Sequence, residues 1–115
     1  MQNALTPEQL SEFAAFQGLT ANRFAQLAQR WRENTVNLSS TNAIVLDDCY
    51  QQIIGLGPVA IALILNELRK APEMWFPALR ALTGANPITD EIRGDMKAMQ
   101  AAWLRWGKEH GYLEP

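Results

Sequence analysis

Residues 53–87, IIGLGPVAIALILNELRKAPEMWFPALRALTGANP, decide the fold, because two helix-start signals and an almost unbroken apolar run share one segment. Gly57-Pro58 restarts the chain, and a proline at the head of a helix costs nothing, since its missing N–H would find no partner there. The helix that follows, to about Lys70, is apolar on every side through Leu65, the pattern of an element surrounded by others. Arg69 and Lys70 close it where cations favour the negative end of the helix dipole. Ala71-Pro72 then starts a second helix carrying Met74, Trp75, Phe76, Ala78, Leu79 and Leu82, with Gly84 as its stop. Pro77 fits this helix only within the first turns. Deeper inside, it removes a backbone hydrogen bond and kinks the rod.

Toward the N-terminus, Thr6-Pro7-Glu8-Gln9 reads as a helix start, with Thr6 as N-cap and Gln9 closing a capping box. Leu10, Phe13, Ala14 and Phe16 give that helix an apolar side. Gly18 interrupts it before Thr20, which caps a second helix with Phe24, Leu27, Ala28 and Trp31 on one face. The alternative is one kinked rod, since a glycine inside a helix costs only about 1 kcal/mol. From Thr35 to Leu46, Asn, Ser and Thr cluster and predict the main loop, with Ala43 to Leu46 as a short extended piece. Asp47 or Asp48 caps a short helix through Cys49, Tyr50, Ile53 and Ile54, ended by Gly55.

Toward the C-terminus, Thr89 or Asp90 caps a last helix that runs to about His110, with Gly94 as an early break and Gly111 as the stop. Met96, Met99, Trp103, Trp106 and His110 fall at alternating steps of three and four, an a/d stripe. These elements predict an all-α fold, a compact bundle of five or six helices formed by residues 1–115 as a single domain. Val59 to Leu68 lie at its centre, and the Met96/Trp106 stripe packs against them.

At 115 residues, 48% of them hydrophobic and 19% charged, the chain is long enough to bury one core and too short for two. Ten basic and twelve acidic side chains leave a net charge of -2, which lacks the bulk electrostatic footprint of a nonspecific nucleic-acid binder. Cys49 is the only cysteine, so no intrachain disulfide forms, and no signal-peptide pattern is present; the expected location is cytoplasmic. The longest strictly apolar run, Val59 to Leu65, falls far short of the roughly 20 residues of a membrane-spanning helix. One histidine and one cysteine do not make a metal site, and neither metal nor cofactor is expected.

No catalytic constellation emerges. Gly55-Leu56-Gly57-Pro58 lacks the preceding strand, the Lys-Ser/Thr pair and the third glycine of a phosphate-binding loop, and reads as a helix corner. Asp47-Asp48 and Asp90-Glu91 are adjacent carboxylates that do not face each other on a helix, and they read as helix-start acids. His110, at the end of the tryptophan stripe, reads as a helix-end side chain packing beside aromatic rings.

Two interaction surfaces remain. Trp31, Trp75, Trp103 and Trp106 are many tryptophans for this length, and their apolar area belongs to a core or an interface. Trp75 and Phe76, adjacent on one helix, point in different directions, and two readings stand: one of them stays exposed as a partner-binding anchor, or all four tryptophans close one crowded core. Arg93, Lys97, Arg105 and Lys108 project within about a third of the last helix's circumference. They form a basic stripe, read first as a solvated face because Asp95 and Glu109 flank it and the net charge is negative, and alternatively as a surface for a nucleic-acid backbone, with Arg23, Arg30 and Arg32 nearby.

The segment GPVAIALILNELRKAPEMWFPALRALTG, from Gly57 to Gly84, resembles a single HEAT-like helix hairpin, departing from it at Trp75-Phe76-Pro77. The wider pattern, YQQIIGLGP at Tyr50, WFPALRALTGANP at Trp75 and AAWLRWGKEHGY at Ala101, resembles a family of small uncharacterised bacterial all-helical proteins. That resemblance implies the fold class and a bacterial source and carries no activity with it. The expected role is a small noncatalytic bacterial adaptor or accessory protein that binds another protein through an aromatic helical surface. The alternative is a nucleic-acid-binding regulatory or antitoxin-like protein using the basic stripe.

Overall fold

The computed structural model describes residues 4–115, whose regular structure is entirely helical. Six helices follow in order: α1 (Pro7–Thr35), α2 (Thr41–Val45), α3 (Asp48–Gly55), α4 (Val59–Lys70), α5 (Phe76–Thr83) and α6 (Met96–Glu109).

Local chemistry sets most of their ends. At α1, the Gln9 N–H donates to Thr6 Oγ1 at 3.1 Å and the Thr6 N–H donates to Gln9 Oε1 at 2.9 Å, closing the capping box. The helix then runs unbroken for 29 residues. The expected interruption at Gly18 does not occur, because Thr20 does not cap a new helix. Its hydroxyl donates back to the Phe16 carbonyl at 2.9 Å, a bond that satisfies it inside the rod. Within the expected loop, Ser40 Oγ accepts the Ala43 N–H at 3.4 Å and starts the single turn α2. Ala43 to Leu46 are therefore not extended. Asp47 is the cap of α3, its Oδ1 accepting the N–H of Cys49 at 2.9 Å and of Tyr50 at 3.2 Å.

Two helix starts differ from the sequence expectation. Ala71 is extended (φ -161°, ψ 147°) and the chain stays irregular to Trp75, so α5 begins at Phe76 and Pro77 falls in its first turn, where no N–H is needed. Helix α6 begins at Met96, with the Ala98 N–H donating to Asp95 Oδ1 at 3.1 Å. Neither Thr89 nor Asp90 caps it. Gly94 takes a left-handed φ of +91°, a backbone turn that glycine makes without steric cost and a helix cannot contain, so residues 90–94 form a turn instead.

Helix α4 touches α1, α5 and α6 and buries Ala60, Ile61, Ile64, Leu65 and Leu68, so it is the centre of the bundle. Against one side of it Phe24, Trp31, Tyr50 and Trp75 form an aromatic cluster, the Trp31 and Trp75 rings 4.5 Å apart and those of Trp31 and Tyr50 5.1 Å apart. The polar tips of this cluster are satisfied. Trp31 Nε1–H donates to the Ile44 carbonyl at 3.0 Å; the Tyr50 hydroxyl donates to the Met74 carbonyl at 2.9 Å and accepts the Ala78 N–H at 3.0 Å. On the other side, Met99, Trp103 and Gly107 of α6 are buried, and Gln100 Nε2 donates to the Leu68 carbonyl at 2.7 Å. Helices α4 and α5 pack as consecutive neighbours; their likeness to a HEAT unit remains one of sequence pattern.

Candidate functional site

Trp75 and Phe76 are core residues, 0% and 5% exposed. The expectation that one of them stands exposed is overturned, for a physical reason. It assumed a helix running through both, whereas the loop before α5 turns Trp75 into the aromatic cluster and the helix start turns Phe76 inward as well. Trp75 is further pinned from outside: its Nε1–H donates to Glu73 Oε1 at 3.3 Å, and the Arg32 guanidinium lies 5.9 Å from its ring centroid.

The exposed aromatic surface lies instead on the first half of α1. Phe24 is the first buried residue of that helix, and every side chain from Pro7 to Leu19 is exposed. Leu10 (53%), Phe13 (53%) and Phe16 (62%) recur at steps of three within about 120° of arc and form one ridge, while Leu19 (69%) lies on the far side of the rod from Leu10. At 3.6 residues per turn, Leu10 and Phe13 sit on the same side of the rod as Phe24 and Trp31. The face that is buried in the second half of α1 therefore continues, uncovered, for about three turns. The sequence shows the apolar spacing of this face but not that the other helices stop short of it. Its charged residues are of one sign: between Pro7 and Asn22 they are Glu8 and Glu12 alone.

The expected basic stripe is shortened. Lys97, Arg105 and Lys108 lie exposed on α6, about 80° of arc apart at most, opposite the buried Met99/Trp103 side. Arg93 precedes the helix and pairs with Asp90 at 2.7 Å, so it does not extend the stripe. Arg32 is also committed elsewhere, donating to Glu73 at 2.6 and 2.8 Å and to Glu67 at 2.8 Å. The Glu73 carboxylate holds the Arg32 guanidinium above its ordinary pKa. Arg23 donates to Gln52 Oε1 at 2.7 Å.

His110 stacks on Trp106, the ring centroids 4.3 Å apart, with its Nδ1 2.9 Å from the Trp106 carbonyl. This is the helix-end packing its sequence position implies. Cys49 is buried, and desolvation raises its thiol pKa, the opposite of an activated nucleophile. Among the described residues no three His, Cys, Asp or Glu side chains gather to hold a metal ion. No helix among them is long and apolar enough to cross a membrane. In comparisons with known proteins, no family model, no curated protein and no solved structure matches this chain.

Proposed function

We propose that this protein is a small noncatalytic bacterial adaptor of the cytoplasm, and that it binds another protein through the uncovered aromatic face of α1. The observation that carries this reading is the ridge Leu10-Phe13-Phe16, three large apolar side chains each more than half exposed on one side of the rod. Burying one such side chain is worth roughly 1.5–3 kcal/mol, so a ridge of three supplies enough to hold a partner once the cost of association is met. The occupant this face suits is an amphipathic helix with an apolar stripe and basic flanks. Helix-on-helix packing extends the way α1 already packs on α3, and the basic flanks answer Glu8 and Glu12.

The test is a titration with a synthetic amphipathic helix bearing a leucine stripe flanked by lysines, beside the same helix flanked by glutamates. The lysine form binds saturably and the glutamate form much more weakly. A Phe13→Ser/Phe16→Ser variant loses at least about a hundredfold in affinity, since hot-spot aromatics cost 2 kcal/mol or more each. Equal binding of both peptides, or no loss in the variant, overturns the reading. Dimerisation of the protein that the same two substitutions abolish assigns the face to a second copy instead.

A second reading, nucleic-acid binding, is favoured by Lys97, Arg105 and Lys108, which share one exposed side of α6 and have no carboxylate within ion-pair distance among the described residues. Three phosphate contacts give an affinity that falls with salt at a log–log slope near about -2.7. Lys97→Ala/Arg105→Ala/Lys108→Ala removes that slope if the reading holds.

A further inference from the structure

A cleft of about 550 Å³ opens between α5, the irregular segment 84–95 and the start of α6. Its size falls in the roughly 300–1,000 Å³ range of small-molecule sites. None of its lining residues lies on α1, so it is separate from the ridge described above. Phe76, Ile88 and Met99 supply apolar wall. Arg80 and Arg93 line it as well, and no acidic residue does. Arg80 has no ion-pair partner among the described residues, and the Arg93–Asp90 pair joins two exposed side chains that solvent can exchange.

Trp103 borders the same space. It is 1% exposed, and its Nε1–H is the one buried side-chain polar group without a hydrogen-bond partner among the described residues. The indoles of Trp31 and Trp75, by contrast, are bonded to the Ile44 carbonyl and to Glu73. A native core rarely leaves such a donor unpaired, and this one belongs to a residue that lines the cleft.

We propose that this cleft is a binding site for a carboxylate carrying an apolar tail. The guanidinium fork of Arg80, with Arg93 beside it, takes the carboxylate oxygens; the wall of Phe76, Ile88 and Met99 takes the tail; Trp103 Nε1–H donates to an acceptor on the ligand. The carboxylate is that of a free arylalkyl acid or of a peptide C-terminus, two sources of the same chemistry.

The four tryptophan indole N–H resonances, followed by ¹⁵N NMR during titration with 4-phenylbutyrate, test this. The Trp103 signal moves downfield and saturates, while those of Trp31 and Trp75 hold. The neutral 4-phenylbutyramide binds at least about tenfold more weakly, and Arg80→Gln weakens the acid by a similar factor. Arg80 is exposed, so this variant keeps the fold. Acetyl-Ala-Phe with a free carboxylate, run in parallel, binds more tightly than 4-phenylbutyrate if the site takes peptide C-termini and more weakly if it takes small acids. An unmoved Trp103 signal at millimolar acid, equal binding of acid and amide, or indifference to Arg80→Gln overturns the proposal.

Discussion

Gly107 of α6 sits against α4: a methyl group built on it meets Leu65 Cδ1 at 2.8 Å and Leu113 Cδ1 at 3.1 Å. Leu65 is fully buried, so its terminal methyl gives way only by repacking its neighbours. Gly107→Ala therefore overpacks the contact by roughly 1–3 kcal/mol while gaining about 1 kcal/mol of helix propensity, and urea unfolding should show a net loss of about 1 kcal/mol. Tyr50→Phe should cost about 2 kcal/mol in the same measurement, because the Ala78 N–H and the Met74 carbonyl both lose a buried partner. Neither role could be read from the sequence. Trp103 was legible from its spacing, but what Gly107 and Tyr50 do depends on what lies opposite them. Trp75 shows the same limit: its burial is decided by where α5 starts, one residue later.

Among the elements, those whose ends rest on bonds between near neighbours were legible. The Thr6 capping box, the Asp47 cap and the Gly84 stop all form as their residue types require. Misreadings fell where two local signals compete. Thr89 and Asp90 resemble a cap as much as Asp95 does, and the left-handed turn at Gly94 decides between them. At Gly18 the cap and break signals lose to the continuity of a long helix, whose interior glycine has open space where a Cβ would be. Gly18→Ala should therefore be tolerated and should stabilise the first half of α1 by about 1 kcal/mol. Hydrogen exchange is the measurement: amides of residues 10–20, on the uncovered half, exchange faster than those of 24–35 and slow by about fivefold in the variant. A faster rate in Gly18→Ala would mean that α1 needs a kink there.

Across the whole molecule, one ionic network ties separate parts of the chain together. Arg32 of α1 reaches Glu67 of α4 and Glu73 of the loop before α5, and Lys70 reaches Glu67 at 2.7 Å. Lys70, more than Arg32, holds the Glu67 carboxyl below its ordinary value of 4.5, partly offset by desolvation. A carboxylate depressed in the folded state contributes stability above its unfolded pKa and loses it as the pH falls through the folded one. The melting temperature should thus decline as the pH is lowered from neutrality through and below 4.5, and Glu67→Gln should flatten that decline. The molecule measures 50 × 30 × 22 Å, and α1, about 44 Å long at 1.5 Å per residue, runs to nearly its full length. The core occupies the second half of that rod, and the first half is left with an apolar ridge and two glutamates.

Whether that ridge is where a partner sits can be read from a photo-crosslinking side chain placed at Phe16 and irradiated in the cell of origin. A single adduct with another protein should form; it should vanish in Phe13→Ser and persist in Lys97→Ala/Arg105→Ala/Lys108→Ala. Adducts that survive Phe13→Ser, adducts with nucleic acid, or adducts only with a second copy of this chain would contradict the assignment of α1 as the surface that binds another protein.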